Sequence, residues 1–255
     1  MPIITLTTDF GYLDPHVAIL KAKILKENPK IQIVDISHQV HVHDVAHAAY
    51  LFNGCYDFFS EGTIHLIAVN NQVSRKSRFL LAKLDNHLIL VEDNGFLGLL
   101  KSEIQALYEI HSDSESKTFA ALSHLLPAAL KIARGTDIGK LGNLTTEYYD
   151  TRPRMAKVTK KEIVGHVEHI DHYGNLITNI FHEDFKAVYN NRKFMISFGI
   201  EKFDKIHQSY NEVEGGDCFI LFNSLDRLQI GIKHGRACEL LGLGRDSLVS
   251  VHFLE

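Results

Sequence analysis

The 255 residues are 45% hydrophobic and 23% charged, which excludes a disordered or fibrous chain. A chain of this length forms one large domain or two modest ones, and either can bury a sizeable core. Lys and Arg number 27 against 31 Asp and Glu, so the net charge is −4. Because there is no basic excess, a nucleic acid is not expected as a partner.

The cysteines and the apolar runs indicate a reducing, aqueous location. The three cysteines, Cys55, Cys218 and Cys238, lack CxxC spacing and are typical of free thiols rather than a disulfide framework. The N-terminus has no basic start of a signal peptide, and no apolar run approaches membrane-spanning length. We therefore expect a cytoplasmic protein without a membrane partner.

The first 140 residues alternate strand-like and helix-like segments. Apolar runs predict strands over 3–7, 31–36, 63–69, 79–84 and 88–92. Helical spacing predicts helices after the first strand (through Val17, Leu20 and Ile24), over 45–59, from 96 and over 125–133. Such alternation is typical of a sheet covered on both faces. We predict an α/β N-terminal domain with a mostly parallel sheet, spanning 1–150.

The pattern changes after a polar, charged segment at 147–161 that is typical of a linker. Beyond it the hydrophobic period shifts towards two. Short β-rich runs lie at 163–170, 176–180, 193–198, 218–222 and 248–253. These runs predict a smaller C-terminal β-barrel domain, spanning 151–255.

Histidine is unusually frequent, with 16 residues in the chain, and several of them cluster. The cluster consists of His38, His41, His43, Asp44 and His47. These residue types can ligate zinc or iron, but a site needs three or four groups that converge. The alternative is a polar loop that enters a helix with Asp44 as its cap. Because no second ligand cluster follows with matching spacing, we predict no metal site.

Two further motifs bring together groups that recognise small molecules. Asp9, in TTDFG at 7–11, follows the first strand at the end where α/β folds bind ligands, and its oxygens can accept two ribose hydroxyls. Asp171, Tyr173 and Asn175, in IDHYGNLITNI at 170–180, can hold an ammonium, stack on a base and bond its edge. The alternatives are a helix cap at Asp9 and an ordinary β-turn at 171–175.

The motifs occur in an order that resembles a known family. TTDFG is followed by DNG at 93–95, by Thr118-Phe119 with Pro127-Ala128-Ala129, and by IDHYGNLITNI. Asn223-Ser224, then Leu228-Gln229-Ile230-Gly231, then Gly235-Arg236-Ala237, complete the series. The chain resembles the S-adenosylmethionine hydroxide adenosyltransferase, chlorinase and fluorinase family nearly end to end.

This resemblance implies a homotrimer whose ligand lies between the N-terminal domain of one subunit and the C-terminal domain of the next. S-adenosylmethionine is the only small molecule it implies, as substrate or ligand, without a further cofactor. The implied roles are ribose diol binding by Asp9, packing near C5′ by Phe119, ammonium binding by Asp171, adenine stacking by Tyr173 and Tyr210, recognition of the adenine edge by Asn175, and contact with the methionine carboxylate by Ser224.

The sequence departs from the family at the residues that activate water. The resemblance implies that hydroxide-using members activate water with an Asp, an Arg and a His. The matching positions here hold Asn70, Ser77 and Ala120. Asn70 remains a candidate for ligand binding. Arg78 keeps the second Arg of a pair, and a one-residue slip in alignment gives it the catalytic Arg role. The sequence does not decide whether His43 or His124 enters the pocket.

Three functions follow from the resemblance and the departure. The first is hydrolysis of S-adenosylmethionine to adenosine and methionine with other residues or at a lower rate. The second is binding of S-adenosylmethionine or adenosine without chemistry, since neither an amide nor Ala can accept a proton as the family's groups do. The third is adenosyl transfer to a halide, for which Ala120 and Ala121 leave a small niche.

Overall fold

A computed structural model of the chain describes residues 1–71, 77–112, 114 and 118–254. The chain divides into two compact units, Met1–Pro153 and Arg154–Glu255. Among the described residues, each helix is too short or too polar to cross a bilayer.

The first unit is built on a sheet whose described residues form seven strands in the order β2-β1-β3-β5-β4-β6-β7. The strands are β1 (Ile3–Thr8), β2 (Gln32–Ser37), β3 (Ile64–Ala68), β4 (Phe79–Leu84), β5 (His87–Glu92), β6 (Ala106–Ile110) and β7 (Gly142–Leu144). The helices are α1 (His16–Glu27), α2 (Val45–Asn53) and α3 (Leu126–Ala133). A π-helical turn, Ala121–Leu125, leads directly into α3.

The expectation of a mostly parallel sheet is wrong, because the sheet is mixed. Strands β2, β1, β3 and β5 pair in parallel, whereas β4 pairs antiparallel with β5 and β6, and β6 with β7. Only Asp85 and Asn86 connect β4 to β5, and both have positive φ (46° and 65°). Two such residues form a tight hairpin, whereas a parallel connection needs a crossover of a dozen residues or more.

Helices cover both faces of this sheet, as the alternation of elements predicts. On one face, Leu20 and Ile24 of α1 and Ala129 of α3 pack against inward residues of the strands, such as Leu6. On the other face, Phe52 of α2 belongs to a second core cluster. Helix α2 ends at Asn53, before Gly54, and the rest of the predicted helix 45–59 contains a 3-10 turn at Tyr56–Phe58.

The second unit contains a curled, half-barrel sheet with antiparallel pairing throughout its described strands. Its strands are β8 (Lys157–Val158), β9 (Glu162–Ile170), β10 (Leu176–Phe181), β11 (Phe194–Phe198), β12 (Glu201–Phe203), β13 (Cys218–Phe222), β14 (Arg227–Ile232) and β15 (Leu248–Phe253). The order is β12-β11-β15-β9-β10-β14-β13, with β8 paired to β9. Two short helices, α4 (His182–Tyr189) and α5 (Ala237–Leu240), complete the unit. The short β-rich runs predicted for this region are confirmed as strands. The predicted β-barrel is a half-barrel, since the described pairings leave the sheet open between β12 and β13.

Candidate functional site

The side chain of Asp9 lies where the carboxyl ends of three parallel strands meet. Asp9 directly follows β1, and its Oδ2 accepts backbone N–H groups of His43 at 3.0 Å and of Asn70 at 3.1 Å. His43 belongs to the loop after β2, and Asn70 to the segment after β3. The described residues give Oδ1 no hydrogen bond, and the side chain is partly exposed. Two backbone amides therefore hold Oδ2 of Asp9 in place, while Oδ1 is a charged acceptor on a partly exposed side chain.

Both residues that donate to Asp9 adopt the left-handed backbone conformation. The φ of His43 is 63° and that of Asn70 is 52°. This conformation is uncommon for residues other than Gly, although Asn and His adopt it more readily than most. Two such residues aimed at one carboxylate oxygen indicate backbone strain concentrated at a single position. Such strain is typical of functional sites.

The histidine cluster is a helix-entry loop, as the alternative interpretation of its sequence holds. Asp44 caps α2 by accepting the His47 N–H at 2.8 Å. His41 and His47 stack with ring centroids 4.4 Å apart, and the His41 N–H donates to His47 Nδ1. His38 points elsewhere, towards β1. No group of three or more metal-ligating side chains converges within the described ranges.

Phe119 lies in an aromatic cluster beside the Asp9 loop. Its ring centroid is 5.6 Å from that of Phe10 and 5.1 Å from that of His16, and both contacts are edge-to-face. Because Phe10 follows Asp9 directly, the cluster brings Phe119 to the same end of β1. His16, the first residue of α1, is not among the site residues that the sequence predicts. Its position five residues after TTDFG is the signal that the sequence offers for it.

The positions that replace the family's water-activating groups carry different chemistry. Ala120 is buried in the core of the first unit, where its methyl group packs among apolar side chains. Arg78 donates from Nε to Glu109 at 3.0 Å, from Nη1 to Asp93 at 3.2 Å, and from Nη2 to the Glu147 carbonyl at 3.1 Å. Through these three contacts, Arg78 connects β6 and the segment after β5 to the backbone at Glu147. Its catalytic role stays a prediction, and residues 72–76 of this segment lie outside the described residues.

His124 and His43, left undecided by the sequence, have different surroundings. The exposed His43 meets Asp9 through its backbone N–H. His124 is buried, its Nδ1 forms a hydrogen bond with Ser112, and its ring stacks on Phe79 at 4.3 Å. It also lines a cavity of about 410 Å³ with Ser112 and Lys131. The structure thus links His43, by its backbone, to the Asp9 site and shows His124 in a separate packing role.

In the second unit, Asp171 and Asn175 close one loop. Asp171 accepts the Asn175 backbone N–H at Oδ1 and its amide Nδ2 at Oδ2, each at 2.9 Å. Gly174, between them, has φ +84°, and a Cβ there would lie 2.8 Å from the Cβ of Arg236. The turn interpretation of this motif is confirmed. Tyr173, at the tip, is 75% exposed, so its ring is open to a partner or ligand.

A short series of contacts connects this loop to Tyr210. A Cβ on Gly231 of β14 would lie 2.4 Å from Asn175 Oδ1 and 2.1 Å from the ring of Phe219. The Tyr210 ring packs edge-to-face on Phe219 at 5.0 Å and is 49% exposed. Asn175 and Tyr210 therefore lie on the same side of β13 and β14, joined by Phe219, which the sequence suggests only as a core residue. Ser224 lies in the exposed turn before β14.

The fold and the Asp9 geometry define a two-unit α/β protein with an oriented carboxylate at the strand ends where such folds bind ligands. The SAM hydroxide adenosyltransferase N-terminal domain model matches residues 4–142, and the C-terminal domain model matches 165–250. The chain belongs to the SAM hydroxide adenosyltransferase family, as its motifs predict.

Relatives and solved structures match along almost the whole chain. An (R)-S-adenosyl-L-methionine hydrolase of Methanocaldococcus jannaschii is 28% identical, over 95% of this chain and 93% of its own. A Thermus thermophilus protein of the same name is 24% identical, over 92% of this chain and 94% of its own. The crystal structure of an uncharacterized conserved protein from Thermotoga maritima superposes with a TM-score of 0.89 at 22% identity, covering 99% of this chain and 100% of the other. These matches extend through both units.

Proposed function

We propose that this chain binds S-adenosylmethionine and cleaves it with water to adenosine and methionine. The observation that carries the proposal is the Asp9 carboxylate, with Oδ2 held by two backbone amides and Oδ1 left to accept ribose hydroxyls. The named relatives act on (R)-S-adenosyl-L-methionine, which supports the same substrate and sulfonium form here. Family membership over both domains supports the same class of reaction.

The proposed reaction is an in-line displacement at C5′ of the adenosyl group. The water oxygen forms a bond to C5′, the C5′–S bond breaks, and its electron pair neutralises the sulfonium as methionine leaves. Water loses one proton to solvent or to a nearby base. Because the sulfonium is already a good leaving group, most of the acceleration comes from orienting the substrate and excluding bulk water. In this proposal Asp9 fixes the ribose, and Phe10 and Phe119 provide an apolar wall.

A second candidate function is binding of the nucleoside without turnover. Three observations favour it: the neutral amide at Asn70, the core-packed methyl of Ala120, and the commitment of Arg78 to Glu109 and Asp93. None of these groups takes a proton from water as a carboxylate or imidazole does. The two candidates share the binding site and differ only in chemistry.

We further propose that the site is completed by a neighbouring copy in a homotrimer. The groups that a second copy would contribute are the exposed rings of Tyr173 and Tyr210, Asp171 and Asn175 in the loop of Tyr173, and the exposed Ser224 in the turn between β13 and β14. Light scattering after size exclusion should then give three times the chain mass of 28.9 kDa. A monomer at micromolar concentration would contradict this part of the proposal.

The deciding experiment incubates purified protein with each sulfonium epimer of S-adenosylmethionine and follows adenosine and methionine by chromatography. Hydrolysis requires equal amounts of both products above the uncatalysed rate, and the Asp9→Ala variant should lose that activity. Saturable binding of either epimer without products supports the second candidate. A 5′-halo nucleoside that forms only with added chloride would replace hydrolysis by halide transfer. If neither binding nor product formation is detected with either epimer, the proposed function is overturned.

A further inference from the structure

A series of polar side chains, buried at Thr8 and His38 and solvent-accessible at Asp35 and Lys21, lies directly behind the Asp9 loop. Thr8 Oγ1, at the end of β1, is 2.8 Å from Nδ1 of His38, and His38 Nε2 is 3.0 Å from Oδ1 of Asp35. Lys21 of α1 binds the other oxygen of Asp35. The side chains of Thr8 and His38 are fully buried. Neither can touch a ligand, so any role of this series is exerted through the residues it holds.

The hydrogen bonds among Thr8, His38 and Asp35 fit one assignment of donors and acceptors. Asp35, as a carboxylate, only accepts, so its contact with Nε2 favours the tautomer with a proton there, although the approach is bent from the ideal line. Nδ1 is then an acceptor, and the Thr8 hydroxyl must donate to it. The Thr8 oxygen in turn faces the Phe10 N–H at 3.4 Å. Burial lowers the pKa of His38, with Asp35 opposing the shift, which is consistent with a neutral ring.

Backbone hydrogen bonds bind the same two segments together. The Gly11 N–H donates to the His38 carbonyl at 2.7 Å, and the Val40 N–H donates to the Thr8 carbonyl at 3.3 Å. Gly11 has φ +64°, a conformation that suits glycine and turns the chain just after Asp9. The segment around His38 therefore holds the Asp9 loop by two backbone bonds and by the side-chain contact to Thr8.

We propose that Asp35, His38 and Thr8 are positioning residues that fix the Asp9 loop and thereby the direction of the Asp9 carboxylate. As a contribution to ligand binding, this rests on the proposed function. A ligand-binding carboxylate is effective only when its own support is rigid, and small displacements of such groups lower affinity and rate steeply. In the sequence, these three side chains are visible only as Thr8 at the end of one predicted strand and Asp35-Ile36-Ser37-His38 at the end of the next.

The chain offers a closely matched control on the same strand. Thr5 of β1 is also fully buried, and its hydroxyl lies 2.7 Å from Nδ1 of another buried histidine, His65. Thr8→Val and Thr5→Val each remove one Thr–His contact with little change in volume, but only the first lies next to Asp9. Thr8→Ser keeps the hydroxyl and is the conservative rescue.

The variants are compared for adenosine affinity by calorimetry, for stability by chemical denaturation, and for amide hydrogen exchange at Phe10 and Gly11. We expect Thr8→Val to weaken adenosine binding about tenfold, and Thr8→Ser and Thr5→Val to stay within about twofold, although Thr5→Val lowers stability. Equal loss of affinity in Thr5→Val and Thr8→Val, or no loss in Thr8→Val, would overturn the proposal. If Thr8→Val does not fold, Asp35→Asn takes its place with the same expected direction.

Hydrogen exchange separates this inference from the proposed function. If the wild-type protein binds neither adenosine nor S-adenosylmethionine, the proposed function fails. Exchange at Phe10 and Gly11 still tests the positioning of the loop. Faster exchange in Thr8→Val than in Thr5→Val supports the positioning role, and equal exchange in both variants rejects it.

Discussion

Two backbone amides converge on one oxygen of Asp9, and each comes from a residue with positive φ. A charge-assisted hydrogen bond of this kind contributes about 1.5–3 kcal/mol, which is comparable to the roughly 1–3 kcal/mol cost of one sparsely populated backbone conformation. The backbone N–H of Asn70 thus holds Asp9 whichever side chain occupies position 70, including the family's carboxylate. The contribution of the Asn70 backbone can therefore be measured separately from that of its side chain.

Substitution of Asn70 tests this separation. Asn70→Gly keeps the backbone N–H and relieves the left-handed strain, so we expect adenosine affinity within about twofold of wild type and stability equal or higher. Asn70→Val places a β-branched residue at φ 52° and should lower the free energy of unfolding by roughly 1–2 kcal/mol and weaken binding. Denaturation and calorimetry on both variants measure these effects. Equal behaviour of the two would contradict a backbone role.

At the scale of elements, the sequence predicts most of what hydrophobic period and turn chemistry can encode. It predicts the strands that precede Asp9 and Asn70 and the cap at Asp44, because each depends on local residues. It misses the direction of β4, although Asp85-Asn86 is a hairpin signal, because strand pairing is a long-range property. It also misses the His38–Thr8 contact, since 30 residues separate the partners.

Strand β3 contributes a pH-dependent term to stability through its buried His65. Burial, together with the neighbouring His87, lowers the pKa of His65 to about 3, whereas an unfolded histidine titrates near 6.5. Below about pH 6.5, His65 therefore binds a proton in the unfolded chain but not in the folded chain. The free energy of unfolding consequently decreases as the pH falls towards 3.

We expect the free energy of unfolding to decrease between about pH 7 and pH 4, and to decrease less steeply in His65→Asn than in the wild type. The exposed His111→Asn is the control and should keep the wild-type slope. Denaturant titrations at several pH values measure the three slopes. An unchanged slope in His65→Asn would show that this histidine does not set the acid sensitivity.

Strand β14 approaches the Asn175 loop so closely that only glycine fits at position 231. A Cβ there would meet the Phe219 ring at 2.1 Å and Asn175 Oδ1 at 2.4 Å. Gly231→Ala should therefore destabilise the protein by about 1–3 kcal/mol and displace Asn175. Gly244→Ala, with no atom within 4 Å of the added Cβ, is the matched control and should stay close to wild type. Thermal unfolding of both variants gives the comparison, and equal melting temperatures would refute this packing argument.

At the scale of the whole molecule, the residues proposed to bind the ligand belong to two units of the chain. The first unit holds Asp9, Asn70 and Phe119, and the second holds Asp171, Tyr173, Asn175, Tyr210 and Ser224. Motif order identifies the family from the sequence, and both domain models agree with it. The proposed assembly of copies depends on surfaces rather than on local pattern, so the hydrophobic period does not encode it. The described hydrogen bonds of Asp9 all lie within the first unit, so its proposed role can be tested without reference to the second.

The most direct measurement compares the affinity of the protein for adenosine, 2′-deoxyadenosine and 3′-deoxyadenosine, in the wild type, in Asp9→Ala and in the surface control Asp57→Ala. If Asp9 Oδ1 accepts the ribose hydroxyls, wild type and Asp57→Ala should prefer adenosine by about tenfold or more, as expected for hydrogen bonds to a charged group. Asp9→Ala should bind all three nucleosides with nearly equal, weaker affinity. A preference that survives in Asp9→Ala, or one that is absent from the wild type, would contradict the account.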